Sequence, residues 1–387
     1  MPDPGDLADL YRGALLDDVI PFWASHSIDA EQGGYFTCLG RKGEVFDTDK
    51  FVWLQGRQVW MFSKLYNEVE QRAGWLEIAG HGAEFLRDHG MDGEGNFYFS
   101  LDRSGRPLVQ PYNIFSDCFA AMAFSEYARA SREDWAKELA VKTFNNIRRR
   151  SDNPKGRYSK TYPGTRPLLT LALPMITINL ALELGSHIED PVLERSIDEN
   201  IELVMGRLVD GERGLIFENV SPDGTHPDTF EGRLISPGHG IEAMWFIMDT
   251  ARTLGREELI EPASRAMLGQ LEFGWDDGHG GILYFTDSAG KPPVFLEWAQ
   301  KLWWVHLEAL VGTALAFELT GDDIYWEWYG RVHEYAWEHF PDPEHGEWWG
   351  YLDRRGDLLT PIKGGKWKGC FHVPRAMFEL WRIFERL

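Results

Sequence analysis

The chain is poor in cysteine and poor in positive charge. Its 387 residues hold only three cysteines, Cys38, Cys118 and Cys370, odd in number and far apart. That argues against a disulfide scaffold and suits a reducing compartment. Lys and Arg number 39 against 61 Asp and Glu, a formal net charge of −22. No basic stripe offsets it, so binding to a nucleic-acid backbone or an anionic membrane surface has no electrostatic support. No stretch approaches the ~18 uncharged apolar residues of a membrane span. The start, MPDPGDLADLYRGALL, has no basic segment followed by an apolar run. A soluble, cytoplasmic protein with neither nucleic-acid nor membrane partners is expected. Low-complexity segments and domain-dividing linkers are also missing. So are the H-E-x-x-H pattern, closely paired cysteines and the G-x-x-x-x-G-K-[ST] loop, and no bound metal is expected.

What the chain has in quantity is aromatic surface and glycine. Its 17 Trp, with 23 Phe and 13 Tyr, exceed what a core of this size needs. Flat side chains with one polar atom suit the lining of a sugar-sized pocket, although many pack between helices. The glycines mark a repeated phrase: GGYFTCLGRKG (33–43), GNFYFSLDRSG (95–105), GLIFENVSPDG (214–224), GGILYFTDSAG (280–290) and GEWWGYLDRRG (346–356). GRYSKTYPG (156–164) reads as a degenerate sixth copy. The six units step by about 60 residues, and a unit of two helical stretches and one hairpin needs closure or stacking to bury its apolar faces. Even spacing favours one barrel over residues 1–387 rather than two or three domains.

Between the phrases the apolar period switches from about two to about 3.6. Leu7–Ser25 and Phe51–Glu70 flank the first hairpin, Gly74–Asp88 and Asn113–Ala130 the second, Arg132–Arg149 and Leu168–Leu184 the third. Pro191–Leu208 and Pro237–Thr253 flank the fourth, Glu257–Trp275 and Val294–Leu319 the fifth, Asp323–Phe340 and Val373–Leu387 the sixth. Ser131 reads as an N-cap for the helix at Arg132. Twelve alternating helices close into an all-α (α/α)6 barrel, with every short β-hairpin leading from an odd, outer helix into an even, inner one. The hairpins and the inner-helix N-termini then share one end, where a ligand site is expected.

The polar residues near those helix starts form a short set. They are Arg57; Tyr112, Asn113 and Asp117; Glu231, Arg233, His239 and Glu242; Gln300, Lys301, Trp303 and Trp304 with His306 and Glu308; and His372 in GGKWKGCFHVPR. His239 and Glu242 lie three apart on one helical face, where the carboxylate can take one imidazole N–H and leave the other nitrogen as a base. Glycines on both sides of His239 would admit a ligand closely. His306, deeper in an aromatic helix, reads equally as a hydrogen-bonded core histidine. NPKGRYSKT (153–161) is loosely phosphate-friendly.

GRLISPGHGIEAMWFIMD, WKGCFHVPRAMF, WLQGRQVWMF, QPYNIFSDCF and EWAQKLWWVHLEAL resemble the N-acylglucosamine 2-epimerase family over essentially the whole chain. The resemblance implies the (α/α)6 barrel, a homodimer, and interconversion of N-acetyl-D-glucosamine and N-acetyl-D-mannosamine. It implies His239 and His372 as the acid/base pair, Arg57 near sugar O1 and O5, and Glu242 and Glu308 in the polar pocket. It also implies ATP as an activator that is not consumed, with Lys155, Gly156 and Lys160 in the contacting loop. Inverting C2 needs an open-chain aldehyde, one base to remove the C2 proton and one acid to return a proton to the opposite face. Glu242 is expected to hold His239 in register. An epimerase or aldose–ketose isomerase acting on mannose or cellobiose is the near alternative. A glycosidase using two of Asp117, Glu231, Glu242 and Glu308 and a noncatalytic sugar-binding protein are further ones.

Overall fold

The computed structural model describes residues 3–162 and 164–387. Helix α1 spans 4–26, running from Pro4–Gly13 through a π-helical turn at Ala14–Val19 into Ile20–His26. Eleven more follow: α2 (Val52–Glu68), α3 (Ala73–His89), α4 (Phe115–Ser131), α5 (Asp134–Arg150), α6 (Ala172–Gly185), α7 (Pro191–Leu203), α8 (Pro237–Leu254), α9 (Ile260–Gly274), α10 (Trp303–Thr320), α11 (Asp323–His339) and α12 (His372–Arg386). The even helices pack in sequence, α2 on α4 through to α10 on α12. The ring closes where Trp60 meets Phe371 at 5.4 Å and Arg382 Nη2 donates to the Glu68 carbonyl at 2.6 Å. This is an (α/α)6 barrel.

Burial follows from which residues each helix carries. α10 is buried without a break from Trp303 to Ala316, as a helix surrounded by others requires. α5 buries one stripe, Ala136, Ala140, Thr143, Phe144 and Ile147, and turns its charges outward. α8 starts on the Ser236 N-cap with Pro237 in its first turn, and stops at Gly255, where φ is 68°.

The rim is a chain of small antiparallel pairings. The residues just before an even helix bond to the hairpin of the next unit: Lys50–Phe51 to Ser100–Leu101, Leu169–Thr170 to Asn219–Val220, Leu234–Ile235 to Thr286–Asp287, Lys301–Leu302 to Tyr351–Leu352. A bridge from Ile362 to Gly40 joins the last unit to the first. The first and last glycines of the five clear phrases all have positive φ, which lets the chain turn sharply at both ends of each hairpin. The degenerate copy forms a 3-10 turn, Gly156–Tyr158, with no strand among its described residues; Pro163 lies outside them.

Three units repeat a charged clasp over these pairings. Arg103 grips Asp29 with two bonds of 2.9 Å, Arg354 grips Asp276 at 2.8 and 3.1 Å, and Arg41 grips Asp342 with two of 2.9 Å. Each Asp also meets a fully buried lysine, Lys50, Lys301 or Lys363. Each arginine comes from the following unit, and Arg41–Asp342 joins the first unit to the last. Bidentate pairs of this geometry set register as well as supplying attraction.

Four expectations change. Residues 294–302 form a loop and a short strand, so α10 starts at Trp303: Pro292 and Pro293 interrupt the backbone bonding, and Leu296, 98% exposed, has no core face to fill. α6 starts at Ala172, after the strand Leu169–Thr170. Ser131 ends α4 instead of capping α5, its hydroxyl donating to the Tyr127 carbonyl. Lys301 belongs to the clasp, buried against Asp276 at 3.2 Å and the Gly281 carbonyl at 3.1 Å.

Hydrogen bonds from Arg354 and Arg41 hold Asp276 and Asp342 well below the usual carboxylate range. Burial would raise Asp29, but Arg103 and Lys50 overcome it. Folded values below the unfolded ~3.9 mean stability that is present above that pH and lost as pH falls through the folded values. Asp342→Asn leaves Lys363 buried without its counter-charge and should cost about 3–5 kcal/mol at pH 7. Urea unfolding at pH 7 and pH 3 should show the variant losing less on acidification than the parent.

Candidate active site

A cavity of ≈ 620 Å³ opens at the hairpin end. Every inner helix start contributes to its wall: Trp53 and Arg57, Asn113 and Phe119, Met175 and Ile176, His239 and Glu242, Trp303 and Trp304, and His372. Tyr284, Glu297, Gln300, Tyr351 and Trp367 complete it from the loops. A larger cleft of ≈ 930 Å³ lies at the opposite end, beside Lys64, Glu183 and Glu379. Its lining contains no histidine.

The two histidines are built alike. His239 Nδ1 lies 2.8 Å from Glu218 Oε1, and His372 Nδ1 lies 2.7 Å from Glu308 Oε1. A carboxylate accepts from Nδ1–H in each, which leaves Nε2 to meet a ligand. Trp304 packs near both rings, with centroids 5.1 Å from His239 and 5.8 Å from His372. Their electrostatic surroundings differ. Burial opposes a charge on His239, but Glu218, with Glu242 and Glu308 behind it, lifts it above the ordinary imidazole range. Burial depresses His372 far below that range, and Arg57 and Arg375 add to the effect.

Beneath the histidines Arg375 Nη2 bridges Glu242 at 2.7 Å and Glu308 at 2.6 Å, while Trp245 Nε1 donates to Glu308 at 2.8 Å. Glu242, Glu308 and His372 present ligand-type atoms within 4.8 Å of one another. The Arg375 guanidinium already fills the electrostatic role there and opposes a second cation. Arg57 is stacked against Phe119, Trp53 and Phe371 at 4.0, 4.4 and 4.5 Å. Its buried Nε has no hydrogen-bond partner among the described residues. Burial lowers it to about 9, helped by Arg375 and opposed by Glu242, so it stays charged at neutral pH.

Several expected residues sit elsewhere. Glu242 pairs with Arg375, and Glu218 takes the orienting place beside His239. Glu308 stands behind His372, only 1% exposed, and does not line the cavity. His306 is fully buried: Ile282 N–H donates to its Nε2 at 2.9 Å and its Nδ1 meets the Leu302 carbonyl at 2.8 Å. It splints α10 to the fifth hairpin. Asp117 pairs with Arg150 at 2.8 Å, and burial raises it to about 7. Tyr112 packs on Phe99 at 5.2 Å. Glu231 pairs with Arg166 on the surface, and Arg233 with Asp287 and Asp228. Lys155, Gly156 and Lys160 are exposed and outside the cavity wall. The glycines beside His239 admit protein, not ligand: a Cβ on Gly238 would lie 2.7 Å from Trp304, and one on Gly240 2.6 Å from Gln270.

Sequence reasoning missed Glu218 and Arg375. Glu218 is the fifth residue of its phrase, where the other four clear copies carry Thr37, Phe99, Tyr284 and Gly350, and a charge in that place was the available signal. Arg375 lies one turn after His372, in the motif that carried the resemblance.

The sequence profile of the family described as N-acylglucosamine 2-epimerase (GlcNAc 2-epimerase) matches residues 34–376. The chain belongs to that family. It is 39% identical to the N-acylglucosamine 2-epimerase of Bos taurus over 373 residues, covering 94% of this chain and 87% of the relative. The Homo sapiens protein of the same name is 39% identical over 376 residues, with 94% and 87% covered. Among solved structures, the cellobiose 2-epimerase of Bacillus thermoamylovorans B4167 superimposes with a TM-score of 0.84 at 23% identity, covering 99% of this chain and 100% of that one, a likeness of fold. No helix among the described residues is long and apolar enough to cross a membrane.

His306 is held neutral, at about 3, first by its burial. The unfolded chain takes up a proton on it below ~6.5 and the folded chain does not, so stability drops as pH falls from there. His306→Ala orphans the Ile282 N–H and should cost about 1–3 kcal/mol at pH 7. Its kcat should stay within a few fold of the parent, and the penalty should shrink at pH 5 in urea titrations.

Proposed function

We infer that the protein is a sugar epimerase that interconverts N-acetyl-D-glucosamine and N-acetyl-D-mannosamine at C2. The observation that carries this reading is a pair of imidazoles on one cavity, each tied through Nδ1 to its own carboxylate, with Trp304 close to both. A base and an acid of the same type serve a reaction whose forward and reverse steps exchange roles. The family relatives, N-acylglucosamine 2-epimerases at 39% identity, supply the substrate class.

The C2 hydrogen is acidic only in the open-chain aldehyde. One Nε2 takes that proton, and the electron pair moves toward O1 to give an enediolate. The other Nε2–H delivers a proton to the opposite face. Charge gathers on O1 in the intermediate, and Arg57 provides a fixed cation that no carboxylate within ion-pair distance cancels. Indole and phenyl faces around it keep the local dielectric low. A homodimer and activation by ATP remain part of the proposal, the latter through the exposed 155–160 loop.

Incubation with either amino sugar, followed by product chromatography, should yield the other epimer from both directions. A ketose product would favour the isomerase alternative, and new reducing ends from an oligosaccharide a glycosidase. His239→Asn and His372→Asn should each lower kcat by about 10²–10⁴-fold while retaining the parent fold. Either variant turning over at the parent rate would remove the two-histidine mechanism.

A further inference from the structure

The carboxylates behind the two histidines differ in what else they hold. Glu308 accepts from His372, Trp245 and Arg375, so a guanidinium already meets its charge. Glu218 pairs with His239 alone among the described residues. It stands between the strands Leu215–Ile216 and Asn219–Val220. Its backbone is pinned from its own unit and the preceding one: its N–H donates to the Leu234 carbonyl at 3.2 Å, and its carbonyl accepts from Leu171 N–H at 3.0 Å. The carboxylate therefore reaches His239 from a fixed point, 13% exposed, without lining the cavity.

We propose that Glu218 is a positioning residue: its bond to Nδ1 fixes one tautomer of His239 and stabilises the protonated ring, so that His239 is the acid in the direction in which His372 is the base. The proposal rests on the epimerase reading of the cavity. The groups around His239 support it. Carboxylates face it from the hairpin (Glu218), from its own helix (Glu242) and from α10 (Glu308), while Arg57 and Arg375 act on His372. The proton balance is simple. In one direction His372 Nε2 takes the C2 proton, the C–H electron pair enters the enediolate, and His239 Nε2–H protonates C2 on the other face; the reverse direction starts with the proton on His372 and exchanges the two roles. The turnover ends with the proton on His372, and exchange through water restores the starting pair. The site works while the pair holds one proton, and the alkaline limb of kcat/KM reports its loss.

Glu218→Gln removes the charge and keeps the shape. In the full-length variant, imidazole ¹⁵N NMR should show His239 titrating at lower pH than in the parent. The alkaline limb of kcat/KM should move the same way, with kcat down about 10- to 100-fold, as for outer partners of a working histidine. Glu218→Asp should recover part of both shifts and provides the test if Glu218→Gln does not fold. His239 titration unchanged in a folded variant overturns the proposal whatever the activity. A shifted titration in a protein whose parent epimerises neither sugar upholds the Glu218 coupling and rejects the epimerase reading instead.

Discussion

Arg375 holds together the part of the barrel beneath the two-histidine cavity. Its Nη2 bonds Glu242 of α8 and Glu308 of α10 from a position on α12, so one buried guanidinium ties three inner helices beneath the cavity. Without that cation two buried carboxylates would face each other, and one of them would take up a proton. Glu308 could then no longer serve as a charged acceptor for His372. A polar layer this deep is tolerated because its hydrogen bonds interlock, and it is intolerant of losing one partner. Its benefit is to the site more than to net stability.

Two scales of closure have to agree for that layer to form. The inner helices close through apolar packing that fixes distance loosely, and the rim closes through short strand pairings and the Asp–Arg–Lys clasps, which fix register. Arg41–Asp342 joins first unit to last on the outside of the same ring that brings His239 and His372 together inside. A chain with net charge −22 thus sets cations where they matter, in the clasps and beside the cavity. The reacting sugar is neutral and becomes negative only in the intermediate, so the Arg57 cation on the cavity wall favours the intermediate over the ground state.

The frame was legible because repetition is a backbone property. Glycine at positive φ leaves a mark that survives divergence around it, and the five clear phrases led to the rim, to twelve helices and to the even helices as inner ones. The histidines were legible because they interrupt the repeat. What could not be read was pairing across the ring. Proximity along one helix suggested Glu242 as the partner of His239, yet Glu242 pairs with Arg375 of α12. Glu218, 21 residues upstream on a hairpin, reaches the His239 ring from the side. Asp117 and Lys301 were placed at the mouth by sequence position, while His306 was divided between the mouth and the core. Each is buried a layer behind the mouth, holding backbone or a counter-charge. Polar residues near helix starts divide between wall and scaffold, and only the third dimension separates them.

Solvent hydrogen incorporation at C2 tests the central claim most directly, because the carbon-bound proton leaves on one imidazole and its replacement comes from the other, whose N–H exchanges with water. N-acetyl-D-mannosamine incubated with the protein in D₂O and followed by ¹H NMR should give N-acetyl-D-glucosamine carrying one deuterium at C2. Product that keeps its original C2 hydrogen, or a sugar that does not change at all, would contradict the account.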